Sequence, residues 1–328
     1  MNGASILVIA EIAEGRPISL AYEMLGRARQ LIDESGGAVL AGVLGDGIDG
    51  VGADLIAHGA DRAYVVEAPL LAGYRADAWL PDLVNMIRQT RPDAVMVGHT
   101  SLGADLAPRL AFRLDTAIAT SCIAVSAANG QFLLTRPCYG GKAHEVVSIA
   151  TSPAVFTVKP KSFAPRAPQG DRTGEVVRLA SVLDPTHIRG KVREVRRDES
   201  GGARLESADI VVAGGGGMKG AQGFELAARL AELLGGAVGA SRVACDLGWC
   251  PPSYQVGLSG KTVAPELYVA IGISGAGQHM AGCANAKTIV AINTDADAPI
   301  FKFATYGVVG DCHALMPALI EQLEARRK

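Results

Sequence analysis

Residues 256–279 read VGLSGKTVAPELYVAIGISGAGQH, and this stretch decides how the last third of the chain folds. A small polar loop (Val256, Gly257, Leu258, Ser259, Gly260) leads into a run with the composition of a buried strand. Ser274, Gly275, Ala276 and Gly277 then open a predicted helix that carries Gln278 and His279. Such a junction aims backbone N–H groups and the positive end of a helix at one spot, which suits a phosphate. The Ser259 hydroxyl and the His279 imidazole come with it. Together they suit a ligand with a pyrophosphate and a polar heterocycle.

Working outward, the 328 residues leave room for about two domains. Hydrophobic residues make up 49% of the chain but aromatic ones only 5%, with 40 glycines, a balance that fits buried parallel strands under close-packed helices. A net charge of −2 gives no electrostatic reason to expect nucleic acid or an anionic membrane as partner. No run approaches the ~20 apolar residues of a membrane span. The start, MNGASILVIAEI, enters a strand at once without a basic n-region, so a cytoplasmic protein is expected. The six cysteines form no CxxC, with Cys245 and Cys250 a near pair, and the six histidines show no metal spacing. No metal is expected.

The first half alternates strand and helix. Ile6–Ala10, Val39–Leu44, Ala63–Val66 and Ala94–Val97 read as parallel strands, separated by helical patterns at 19–35, 52–58, 76–90 and 103–114. That is a doubly wound sheet. Phe132–Thr135, Val146–Ala150 and Ala154–Thr157 follow without helices between them and read as antiparallel strands added at its edge. PKSFAPRAPQGDRTG (160–174) is a linker or long loop, followed by strand-like runs at Val176–Leu183 and Lys191–Arg197. The second run is basic (Arg189, Lys191, Arg193, Arg196, Arg197) and reads as a solvated edge or a contact with another subunit. DESGGARLE (198–206) marks the expected boundary between an α/β domain of residues 1–202 and a second one of 203–328. The latter should contain a strand at Asp209–Ala213, a turn at Gly214–Gly217 and a helix at Phe224–Leu234. A strand at Thr288–Asn293, a short run at Phe301–Phe303 and a helix from Cys312 capped by Asp311 close it.

Gly215-x-Gly217-x-x-Gly220 nominally matches a dinucleotide fingerprint, but four successive glycines satisfy loose patterns easily and no acidic residue closes a second strand. A tight turn that lets helix and strand approach is the competing reading. Gly260-Lys261-Thr262 looks like the tail of a P-loop, yet Gln255 stands at the first glycine position and Pro251, Pro252, Ser253 and Tyr254 form no strand. Arg242, in an otherwise apolar stretch, is expected either to pair with Asp246 or to lie over a planar ring. His279, at a helix start, can donate to a carbonyl that gains negative charge.

One ordered series of motifs is more specific than any of these. ASR (240–242), QVGLSGKTVAPELY (255–268), GISGAGQH (272–279), AINTD (291–295) and API (298–300) closely resemble the FAD domain of the alpha subunit of electron-transfer flavoproteins. Weaker similarity runs through GADRAYVV (59–66), GHTSLGADLAPRLA (98–111) and RPCYGGKA (136–143), so the resemblance covers effectively the whole chain. It implies an FAD extended across a C-terminal α/β FAD-binding domain. By that likeness Arg242 packs against the isoalloxazine, the Ser259 hydroxyl approaches N5 and His279 points at the C2 carbonyl. Ser274, Gly275, Ala276, Gly277 and Gln278 would hold phosphates and ribityl chain, with Asn293, Asp311 and Cys312 at the adenosine end. Val256, Gly257, Leu258 and Gly260 would complete the loop around the ring, with Ser241 and Gly216 at further contact positions. An imidazole, a guanidinium and a helix start would all favour the negative charge that a reduced flavin carries.

The likeness further implies a heterodimer with a beta subunit that carries AMP. The donor would be a flavin dehydrogenase, such as an acyl-CoA dehydrogenase of fatty acid beta-oxidation, and the acceptor a quinone oxidoreductase or another carrier. Bifurcating and nitrogen-fixation members exist, and the sequence does not choose among them. Relatives commonly carry arginine where this chain has Gly216, a polar residue at Leu258 and threonine at Ser259. Two rival readings stand beside this one: an NAD-dependent oxidoreductase using the turn at 214–217, and a nonredox nucleotide-binding interaction subunit.

Overall fold

A computed structural model describes residues 3–128, 130–139, 143–194 and 205–327. These fall into two compact units, residues 3–138 and 143–194 in one and 205–327 in the other. The expected boundary at 202/203 lies outside the described residues, as do Arg196 and Arg197 of the basic run.

The first unit holds β1 (Ala4–Ala10), a two-residue hairpin of β2 (Ile12–Ala13) and β3 (Arg16–Pro17), α1 (Ser19–Ser35), β4 (Gly37–Gly45), α2 (Val51–Ala57) and β5 (Arg62–Glu67). Next come α3 (Ala76–Thr90), β6 (Ala94–Gly98), α4 (Ser101–Arg113), β7 (Ile118–Cys122), β8 (Ala124–Ala128), β9 (Gln131–Cys138), β10 (Ala143–Val147), β11 (Ala154–Val158) and β12 (Glu175–Leu179). Seven strands pair in parallel in the order β12-β5-β4-β1-β6-β11-β7. The period of two in β1 sends Ile6 and Val8 to one face, among Leu25, Ile32 and Phe156, and Leu7 and Ile9 to the other, among Leu83, Ile87 and Leu110. Helices cover both faces, so the strands read as continuous apolar runs.

One expectation fails here. Ala154–Val158 is not an antiparallel edge strand; it is fully buried and runs parallel between β6 and β7. β8, β9 and β10 form a separate antiparallel sheet, and that excursion returns the chain to the start of the large sheet, the task a crossover helix usually performs. Periodicity cannot distinguish the two directions, but a run with no polar residue facing solvent belongs to a parallel interior. Residues 160–174 are an internal loop of this unit, tied back by Arg172 to Asp61 at 2.6 Å and by the Gln169 amide to the Ala57 carbonyl at 2.8 Å. Residues 191–194 form no strand.

The second unit contains β13 (Ile210–Gly214), α5 (Ala221–Leu234), β14 (Ala237–Ala240), α6 (Arg242–Asp246), β15 (Leu267–Ile271), α7 (Gly277–Cys283), β16 (Thr288–Asn293), β17 (Tyr306–Val309) and α8 (Cys312–Arg327). Its five strands are all parallel, in the order β14-β13-β15-β16-β17. Alternation along β15 turns Val269 and Ile271 toward α5 and α8, and Tyr268 and Ala270 toward α7. The Phe301–Phe303 run lies in a 3-10 turn at Pro299–Lys302 and its C-terminal neighbour; the edge strand is the exposed β17 instead. No described helix is long and apolar enough to cross a membrane.

Candidate functional site

Chain order makes the site. The chain leaves β13 for β14 on one side and then reaches β15 on the other, so the winding reverses at the carboxyl ends of β13 and β15. Open α/β sheets bind ligands at such a reversal. Every candidate from the sequence lies at a strand's carboxyl end, in the segment that follows one, or on a loop bonded to these. Gly216 follows β13, Ser241 and Arg242 follow β14, Ser274 to His279 follow β15, Asn293 ends β16, and Asp311 and Cys312 follow β17. The Val256–Gly260 loop is drawn in by backbone bonds: Val256 N–H to the Ala240 carbonyl (2.9 Å), Leu258 N–H to the Gln278 carbonyl (2.7 Å) and Gly260 N–H to the Gly257 carbonyl (3.1 Å).

The glycine turn is a packing device. A Cβ on Gly215 or Gly217 would strike the backbone of Gly272, which Gly217 also meets through an N–H···O bond of 2.9 Å to the Gly272 carbonyl. Gly216 is different: a Cβ there would meet nothing closer than Val243 Cγ1 at 3.7 Å. Gly275, at φ +82°, lies where any side chain would collide with the Ile300 backbone, and Ile300 N–H closes the loop onto the Ser274 carbonyl at 2.9 Å. This leaves the amides of Gly277 and Gln278 in the first turn of α7, where a helix offers no acceptor of its own.

His279 is the buried centre of the site. Its side chain is 8% exposed, and its Nε2 lies 2.9 Å from the hydroxyl of Tyr268, which is 0% exposed. Nδ1 is also buried and makes no hydrogen bond of good geometry among the described residues, although the Val256 backbone lies close enough to the ring to favour its protonated form. Burial pushes the imidazole down to about 4, with the Val256 backbone working the other way, so the ring is neutral at ordinary pH. Tyr268 keeps its proton, because burial first, and then Cys283, raise its phenol well above the ordinary value. The Ser241 hydroxyl is a second buried polar atom without a partner among the described residues. Two orphaned groups beside a glycine-lined turn are what a site built for a polar ligand leaves behind.

The remaining candidates are differently occupied. Arg242 is exposed and pairs with Asp246 at 3.2 Å, the first of the two alternatives that its setting suggests. Ser259 is exposed and accepts from the Gln255 amide at 3.0 Å; Leu258 is 55% exposed. Asn293 donates to the Ile273 carbonyl at 3.0 Å and accepts from the Asp295 amide at 3.0 Å, which ties the end of β16 to the loop after β15. Asp311 caps α8 by accepting from the His313 amide at 3.0 Å, while the Cys312 thiol turns to the Gly217 carbonyl at 3.6 Å. Lys261, the would-be P-loop lysine, is 3.2 Å from Glu206. Asp311, Cys312 and His313 bring three metal-capable atoms within 4.8 Å of one another, but the Asp311 carboxylate is already the helix cap. Tyr268 was missed by the sequence reading; its place in a period-two strand, on the face that meets α7, is the signal that would have found it.

Comparison with known proteins agrees with this arrangement. Residues 6–183 match the electron transfer flavoprotein domain, and residues 204–284 match the electron transfer flavoprotein FAD-binding domain. The chain is 40% identical over 321 residues to an electron transfer flavoprotein subunit alpha of Thermoanaerobacterium thermosaccharolyticum, covering 97% of each. It is 40% identical over 323 residues to the like-named protein of Bacillus subtilis (98% of each) and 38% identical over 329 to Protein FixB of Azotobacter vinelandii (98% of this chain, 91% of the relative).

Proposed function

Since the chain belongs to the electron transfer flavoprotein alpha-subunit family and carries its FAD-binding domain, we propose that it is the FAD-bearing half of a heterodimeric electron carrier. On this reading it pairs with a beta subunit and takes electrons from a flavin dehydrogenase in the cytoplasm. It passes them to a quinone oxidoreductase or a comparable acceptor and converts no substrate of its own. The FixB relatives leave the nitrogen-fixation branch within the same reading.

Bound FAD supplies an isoalloxazine ring that accepts and releases electrons. The residues of the chain do the rest. With the Tyr268 hydroxyl as donor to Nε2, the tautomer this reading requires, the proton of neutral His279 sits on Nδ1, which has no hydrogen bond of good geometry among the described residues. A donor held that way would meet a flavin carbonyl and stabilise the charge that gathers there on reduction. The Ser241 hydroxyl supplies a second donor, and Ser259, carried on its glycine loop, a third. Arg242, free to leave its exposed pair with Asp246, would cover the ring with its guanidinium. Amides of Ser274 to Gln278 would receive the phosphates, and Asn293, Asp311 and Cys312 would flank the adenosine.

The observation that carries this reading is the pair of buried polar atoms at the winding reversal, Nδ1 of His279 and Oγ of Ser241, that make no hydrogen bond of good geometry among the described residues. The test is co-expression with the small subunit, release and identification of the yellow cofactor, and its titration into Arg242→Ala and His279→Ala. One FAD per alpha chain, with at least tenfold weaker retention in both variants, is expected. A colourless complex that takes up no added FAD would end the proposal.

A further inference from the structure

We infer that Cys245 and Cys250 are a reversible oxidation site, whose two thiols close to a disulfide when a hydroperoxide reaches them. Their sulfurs lie 3.6 Å apart, and both residues are free thiols 8% exposed. The thiols of Cys122, Cys138, Cys283 and Cys312 turn to the carbonyls of Ala119, Ala143, His279 and Gly217; that of Cys245 also reaches the Pro251 carbonyl at 3.5 Å but has the second sulfur beside it. The backbone, rather than a chance rotamer, sets up the pair. Gly248, at φ +73°, reverses the chain after α6, its N–H bonding to the Cys245 carbonyl at 2.9 Å. The Trp249 N–H then folds back to the Ala244 carbonyl at 3.1 Å, which brings Cys250 alongside Cys245 just before Pro251 and Pro252.

A disulfide requires the sulfurs to approach to about 2.05 Å, a closing movement of about 1.5 Å from the 3.6 Å seen, within reach of one side-chain rotation. Burial raises both thiols, that of Cys250 to about 12, and each acts on the other's proton. With Cys245 as the attacking sulfur, its thiol must first lose a proton. Its thiolate attacks one peroxide oxygen and breaks the O–O bond; the departing hydroxide takes a proton and leaves as water, and the sulfur becomes a sulfenic acid. The Cys250 sulfur then displaces the hydroxyl from that sulfenic acid, and its own proton leaves with the hydroxyl as a second water. Two thiols and one hydroperoxide give one disulfide and two waters (an alcohol and a water for an organic peroxide), each sulfur losing one electron to the former O–O bond. The raised thiols make the pair slow, and a cytosolic thiol pool would return it to the reduced form.

The helix that carries Cys245, α6 (Arg242–Asp246), starts just after Ser241, so, on the reading above, the disulfide stiffens one wall of the flavin site. The experiment uses the full chain, fully reduced, then exposed to a few equivalents of hydrogen peroxide, alkylated and mapped by peptide mass spectrometry. Two of the six thiols should disappear, with a 245–250 cross-link that dithiothreitol reverses. Cys250→Ser should leave Cys245 as a sulfenic acid trapped by dimedone. The inference is overturned if all six thiols stay alkylatable, if the oxidised sulfurs go to sulfinic acid without a cross-link, or if another pair forms. The wild-type map decides this without any variant. It also decides without FAD: a protein that binds no flavin and yet forms the 245–250 link would sink the function proposed above and leave this one standing.

Discussion

Changing Tyr268 to phenylalanine probes the contact that holds His279 in place. The substitution removes one oxygen and leaves the ring between β15 and α7. It strips His279 Nε2 of its partner at 2.9 Å, at a place where the two residues are 0% and 8% exposed. A buried polar atom without a partner costs about 1–3 kcal/mol, so the ligand-free C-terminal unit is expected to lose about that much unfolding free energy. A second effect concerns the ligand. With the phenol gone, nothing holds the imidazole proton on Nδ1, and the donor that the flavin would meet is present for only part of the time. A loss of about 1.4 kcal/mol there corresponds to tenfold weaker FAD binding. Urea unfolding at pH 7, two-bond 1H–15N spectra of the His279 nitrogens, and FAD titration read the three quantities separately. If Tyr268→Phe unfolds at the same urea concentration as the parent and the ring proton stays where it was, Tyr268 only fills space, and the argument for a positioned donor is wrong.

Three other substitutions or titrations bear on the same site. His279, held at about 4 against an ordinary 6.5, is protonated in the unfolded chain before the folded one as pH falls. Its contribution to stability is therefore full above pH 6.5 and drains away between 6.5 and 4, in total about 3 kcal/mol, and the gap between parent and His279→Gln should shrink over that window. An NMR titration that finds the ring ionising near 6.5 in the folded protein would contradict this. Ser241→Ala removes a buried hydroxyl without a partner, so the ligand-free protein should be unchanged or more stable by up to about 1 kcal/mol, while FAD binding weakens about tenfold. Equal losses in both measurements would mark Ser241 as merely structural. Gly216→Arg should fold normally, because the position is exposed and a Cβ finds its nearest neighbour at 3.7 Å. The added charge should raise the flavin reduction potential, measured by dye equilibration; a fall would place residue 216 away from the ring.

Much of this was readable from residues 256–279, because there the demands of strand, turn and helix coincide. Apolar alternation gives β15, and Gly275 stands where the backbone tolerates no side chain, beside the amide-rich start of α7. The parallel strands of the first unit were readable for a similar reason, since burial on both faces leaves an unbroken apolar run, as in β1. What resisted reading depends on contacts between distant residues. Ala154–Thr157 reads as an edge strand because no helix precedes it, yet the neighbours of the strand it forms are β6 and β7. Ala237–Ala240 is only four residues long, includes a glycine and was passed over. Tyr268 could not be linked to His279 from spacing alone, because they meet across a strand–helix interface formed by the fold.

The charges show best how sequence and structure differ. An imidazole and a guanidinium near a flavin suggest two cations waiting for an electron. The structure gives the imidazole an environment that keeps it neutral, and gives Arg242 an exposed partner in Asp246, where water reduces an ion pair to between nothing and about 1 kcal/mol. Neither is a strong fixed cation within the ligand-free protein. On the proposed reading, the field available to a reduced flavin would then come mainly from oriented dipoles: an Nδ1–H of His279, the Ser241 hydroxyl and the first amides of α7. Dipoles held by folding need no proton uptake to work. Because burial holds His279 at about 4 in the ligand-free protein, any proton it takes up on reduction between pH 6 and 8 would have to be drawn by the charge of the reduced flavin itself, and would show as a pH dependence of the potential in that range.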